Sequence, residues 1–181
     1  MGASDVSAAR TGAWIALATG ASLLFSLALA CATPFAALAT VAATRTAPGA
    51  ARMTMVAAWL ANQAVGYLVL DYPRTWDSFA WGAAIGIAAL LAAEAVLATR
   101  RRSASAAMRL AGGFVAAFVV YEVSLYAATA VLPSGPGAFA PSVVFGILWT
   151  NALALAGLLA LHRVAVAAHL VLPQPEPTGH A

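Results

Sequence analysis

Lysine is missing from this sequence, cysteine occurs once, and charged residues of all kinds make up only 8% of the 181 positions. A lone Cys31 excludes an internal disulfide and any metal site built from several cysteines. The scarcity of charge is more telling, because soluble domains carry about 25% charged residues and about 45–50% apolar ones. Here 63% are hydrophobic and mean hydropathy is +0.89. A soluble globular protein is excluded on composition. The nine arginines and six acidic residues leave a net charge of +3, but the arginines sit in short clusters rather than along a stripe. A nucleic-acid backbone would have nothing to lie along, so nucleic acid is not an expected partner. About fifty alanines beside arginine-only basic usage resemble the coding of a GC-rich bacterial genome.

Signatures of enzymes are missing too. No HExxH, GxSxG or glycine-rich phosphate loop occurs, and no acidic cluster could hold Mg²⁺. Neither an enzyme nor a cofactor is expected. Without a nucleotide site, active transport would have to draw on a partner or an ion gradient.

What is present is a series of apolar runs near twenty residues, the length that crosses about 30 Å of hydrocarbon at about 1.5 Å per residue. They are Met53–Leu70, Ser78–Ala98, Leu110–Leu132 and Phe139–Leu161. The first run, Ala13 to Thr44, would reach roughly 48 Å as one helix and is too long for one span. Thr33-Pro34 interrupts it, and proline removes a helix hydrogen bond and biases its predecessor out of helical geometry. The expected split is Ala13–Ala32 and Pro34–Thr44. Six spans with both termini cytoplasmic place Arg10, Arg45, Arg52, Arg100, Arg101, Arg102, Arg109 and Arg163 inside and Arg74 alone outside. The expectation is therefore an all-α, six-helix bundle in a bacterial inner membrane, one domain over 1–172. A Pro-rich tail over 173–181 is expected to be disordered. Ala28-Leu29-Ala30-Cys31 resembles a cleavage site, but uninterrupted apolar sequence continues past it, so cleavage is not expected.

Polar residues at membrane depth are costly, so each is a candidate for function. Glu122 stands in Val119-Val120-Tyr121-Glu122-Val123, and a helix would set Phe118, Glu122 and Tyr126 on one face. Its acid is expected to be protonated in hydrocarbon and able to donate a hydrogen bond. Structural satisfaction by a neighbouring helix is the competing reading. Asn62 and Gln63 point about 100° apart, so at least one must face the bundle. Asn62 pairs with Gly66 and Gln63 with Tyr67 along a polar stripe that leads to Asp71-Tyr72-Pro73-Arg74. Trp76 and Trp81 lie across that loop. Taken singly, Tyr67, Trp76 and Trp81 also suit an aromatic belt. Asn151 is expected to face inwards, opposite Trp149. Glu94 is expected to pair with the arginines at 100–102. His162 and His169 are expected at the cytoplasmic surface, and, sharing one helix, they suit haem poorly. The small-residue pairs Ala16/Gly20 and Gly82/Gly86 weigh little in so alanine-rich a chain.

Six short helices in about 180 residues, with polar and aromatic groups toward the outer half from Trp59-Leu60-Ala61-Asn62-Gln63-Ala64-Val65-Gly66-Tyr67 through Tyr72-Pro73, resemble the substrate-binding S subunits of energy-coupling-factor vitamin transporters. The resemblance implies capture of a vitamin-like solute from outside, with a transmembrane coupling subunit and two cytoplasmic ATPases as partners. It also implies a coupling contact at Ala16 and Gly20. Cys31 invites comparison with the cysteine that cobalamin-type S subunits can use near their ligand. On this reading a pocket opens between the third, fifth and sixth helices. Asn62, Gln63 and Glu122 supply its hydrogen bonds, with Asn151 facing inwards, and Tyr67, Trp76, Trp81 and Tyr126 form its walls. The alternative is a structural or assembly subunit packed into a larger membrane complex. A proton-coupled carrier using Glu122 as its relay is a third reading.

Overall fold

The computed structural model describes residues 3–28, 33–100 and 105–168. Cys31, Arg101, Arg102, His169 and the Pro-rich tail lie outside the described residues. The described chain is all-helical, with six helices: α1 (Ala3–Ala28), α2 (Phe35–Arg45), α3 (Pro48–Leu68), α4 (Trp76–Thr99), α5 (Ala106–Ala128) and α6 (Pro141–Ala167). The break before Pro34 is present. Pro34 stands just outside α2, and its carbonyl accepts the Leu38 N–H at 3.0 Å. Proline starts α3 and α6 as well, at the first helical turn where its missing N–H costs nothing. At α5, Ser105 accepts the Met108 N–H at 3.1 Å as a side-chain cap.

The second helix is the centre of the molecule. Each residue from Phe35 to Ala43 is buried, and α3, α4, α5 and α6 all pack on it. A helix apolar all round has no face to offer water, and the run of Ala36, Ala37, Ala39, Ala42 and Ala43 lets neighbouring backbones approach closely. At 11 residues it is only about 17 Å long, well short of a hydrocarbon core. Three other helices, α4, α5 and α6, are long and apolar enough to cross a membrane. Val119, Val123, Phe145 and Trp149 project from α5 and α6 with half or more of their surface exposed, as lipid-facing side chains would.

Both ends of α2 are satisfied by side chains from later helices. No side chain of its own first turn caps it; instead Ala37 N–H donates to Asn151 Oδ1 of α6 at 3.1 Å. Asn151 in turn donates from Nδ2 to the Ile147 carbonyl at 3.0 Å. At the other end, Arg100 Nη1 donates to the carbonyls of Ala43 at 2.7 Å and Thr46 at 3.3 Å. Each bond removes an orphan polar group that a buried helix terminus would otherwise leave, and a cation is well placed against the negative end of the helix dipole.

This use of Arg100 corrects the expectation for Glu94. The carboxylate pairs with Arg52 of α3, at 2.6 Å to Nε and 3.0 Å to Nη2. Both side chains remain about half exposed, at 50% and 45%. Solvated pairs contribute little. Glu94→Gln is expected to leave the thermal midpoint in detergent within measurement error, and a drop of several degrees would mean that the pair is structural.

The glycine pair on α4 has a definite occupant. Trp59 of α3 lies over it, donating from Nε1 to the Gly82 carbonyl at 2.8 Å, and a Cβ on Gly86 would sit 2.8 Å from the indole ring. A Cβ on Gly82 would meet Gln63 Oε1 at the same distance. The pair discounted in the sequence is thus the groove along which α3 and α4 close.

Candidate functional site

Contacts between helices sort the chain into two ends. Arg45, Arg52 and Arg100 lie at one end, where α2 and α4 finish and α3 begins. Arg109 lies at the start of α5, and Gly113, just inside that helix, packs on Val96. At the same end His162 is buried edge-on against Trp14, with ring centroids 4.8 Å apart, because α6 continues unbroken to Ala167. His162 therefore faces the interior of the bundle rather than a membrane surface. The opposite end gathers the loops after α3 and α5. There Trp81 Nε1 donates to the Pro133 carbonyl at 2.9 Å, and the Tyr67 and Ser78 hydroxyls share a hydrogen bond of 3.0 Å. Among the described residues, Arg74 is the single basic side chain at this end.

A cavity of about 230 Å³ opens at this arginine-poor end. Its polar wall is made by Thr33, Asn62 and Glu122, and its aromatic wall by Phe35, Tyr121 and Phe139. Ile85, Leu125, Ala138 and Ile147 complete the lining. Five helices contribute, so the cavity is centred on the start of α2 rather than enclosed by α3, α5 and α6 alone. Pro34 matters here, because the chain turns into α2 beside the cavity and Phe35 is thereby set against Tyr121, with ring centroids 5.9 Å apart. Thr33 donates its hydroxyl to Asn62 Oδ1 at 2.5 Å, which ties the entry of α2 to α3. Glu122 is 8% exposed and neither of its carboxyl oxygens has a hydrogen-bond partner.

No family model, curated protein or solved structure matches this chain. The site must therefore be read from its own geometry.

Of the residues expected to form a pocket, the structure brings Asn62 and Glu122 together and leaves the other six outside the lining. Gln63, on the next face of α3, turns onto Gly82. Tyr67 stacks on Phe79, centroids 4.9 Å apart, and meets Tyr72 edge-on. Trp76 is 69% exposed at the start of α4, and Trp81 is held by the Pro133 carbonyl. Tyr126 is 64% exposed, and its ring meets that of Phe139 in the lining edge-on at 5.4 Å. Asn151 faces inwards, and its amide is committed to α2 and Ile147. Of the polar and aromatic walls, Thr33, Phe35, Tyr121 and Phe139 are the members that the sequence did not single out. Tyr121 adjoins Glu122 and Phe35 follows Pro34, so adjacency was the one available signal.

The arrangement suits binding. Among the described residues no group of three or more His, Cys, Asp or Glu is placed to hold a metal ion. The cavity combines apolar walls with a few convergent polar groups, the usual make-up of a small-molecule site. It is smaller than the roughly 300–1,000 Å³ of drug-sized sites.

Proposed function

We propose that the protein takes up a small, vitamin-like solute across a bacterial inner membrane, as a substrate-binding subunit with six spans and both termini in the cytoplasm. The observation that carries this reading is the cavity at the arginine-poor end, with an unpaired acid in its wall. Arginines concentrate in cytoplasmic segments, so the opposite end, and the cavity with it, faces outward. A volume of about 230 Å³ favours a compact solute over a corrinoid. Ala16 and Gly20 are exposed on α1, where a coupling subunit would have access to them. Such a partner, with its ATPases, would supply the energy that this chain has no nucleotide site to harvest.

Solute extracted from protein purified in mild detergent tests the proposal. A stoichiometric small molecule is expected, and Glu122→Ala should reduce it without changing the thermal midpoint. Hydrogen bonds to charged groups contribute about 1.5–3 kcal/mol, which corresponds to roughly ten- to a hundredfold in affinity. If the protein instead co-purifies in a stable complex and carries no solute, it is an assembly subunit and the uptake reading fails.

A further inference from the structure

Charge is divided between the two ends of the bundle in a way that uptake alone does not require. Asp71 and Asp77 lie at the cavity's end of the bundle, outside its lining, in the loop after α3 and the first turn of α4. Glu122 is in the cavity itself. Arg74 shares that end, where its Nη2 donates to the Tyr67 carbonyl at 3.3 Å, and it does not line the cavity. An anionic solute entering here would meet one acid and no cation in the wall. Burial of its charge would go unpaired, which is prohibitive. A neutral solute would gain only an ordinary hydrogen bond from the Glu122 carboxyl, whereas a cationic donor would gain a charge-assisted one.

We propose that the solute is a small organic cation, an amine or amidine with an apolar body. The proposal rests on the solute-site reading above. Three independent features favour it. The two aspartates at this end raise the local concentration of cations by steering. Phe35, Tyr121 and Phe139 all line the cavity, and aromatic rings attract a cation through their quadrupoles, most strongly where water is excluded. Glu122, the one ionisable acid in the lining, provides the counter-charge, because a cation bound beside it favours the carboxylate over the protonated form that hydrocarbon alone would favour, and the cation's N–H donors satisfy oxygens that now accept nothing. Asn62 and Thr33, already bonded to each other, fix the wall facing the solute's uncharged part.

The test uses full-length protein in lipid nanodiscs, with empty nanodiscs as the control for partitioning. Phenethylamine and benzamidine serve as cationic probes, 2-phenylethanol as the neutral one and 3-phenylpropionate as the anionic one, all followed by titration calorimetry. Saturable binding of a cation at least tenfold tighter than the alcohol, with none for the carboxylate, is the expected result. Glu122→Gln should abolish that preference while Asp71→Asn, at a residue outside the lining, leaves it in place. A preference for the alcohol or the carboxylate overturns the cation assignment and leaves the solute site standing. Absence of saturable cation binding also overturns it, and when no small molecule co-purifies either, the uptake reading falls with it.

Discussion

Asn151→Leu is expected to destabilise the protein by about 1–3 kcal/mol, although the substitution adds apolar bulk to an apolar helix. The cost comes from the partner left behind. Ala37 N–H is buried at the start of α2 and donates to this amide, so losing the acceptor strands a donor where no water reaches. At about 2–4 °C per kcal/mol for a chain of this size, the thermal midpoint in detergent should fall by several degrees. Leu153→Ala, two positions along α6 at a residue that is 47% exposed, provides the comparison and should cost less. Phe35 lies two residues before Ala37 and lines the cavity, so solute binding should weaken alongside stability. An Asn151→Leu variant as stable as the parent would show that α2 does not depend on this bond.

The second large effect concerns Gly86. Gly86→Ala should destabilise by about 1–3 kcal/mol, since the new methyl would stand 2.8 Å from the rigid indole of Trp59 and the α3–α4 contact would have to open. Gly82→Ala meets the amide group of Gln63, the far end of a flexible side chain, and should be milder. Combining Gly86→Ala with Trp59→Ala should cost less than the sum of the single changes. For residues in contact a coupling of about 0.5–3 kcal/mol is usual. Additive effects in that cycle would place the indole somewhere other than over the glycine groove.

Much of the architecture was legible in the residues. Pro34 inside an overlong apolar run marks the division between α1 and α2 because no helix carries a proline through its interior without losing a bond. Asn62 and Glu122 were legible as site residues because polar groups in apolar helices stand out against their surroundings. The central place of α2 was not. Its composition, small and apolar on every face, fits a core helix as well as a short span, and only tertiary packing separates the two. The cavity walls were missed for a related reason. Tyr67, Trp76 and Trp81 have the sequence character of interface aromatics, and two of the rings that do line the site, Phe35 and Phe139, flank interruptions in the helical pattern. Glu94 shows how sequence proximity misleads: Arg100 is nearer along the chain, but the free carbonyls of α2 claim it, and Arg52 takes the carboxylate from 42 residues away.

The double capping of α2 also sets a timetable for biogenesis. Its amino end depends on an amide 114 residues further along the chain, and its carboxyl end on a guanidinium 57 residues beyond Ala43. While the ribosome is still making α3, the innermost helix of the finished protein has neither clasp. It becomes a properly closed element only after the last helix has emerged and settled beside it.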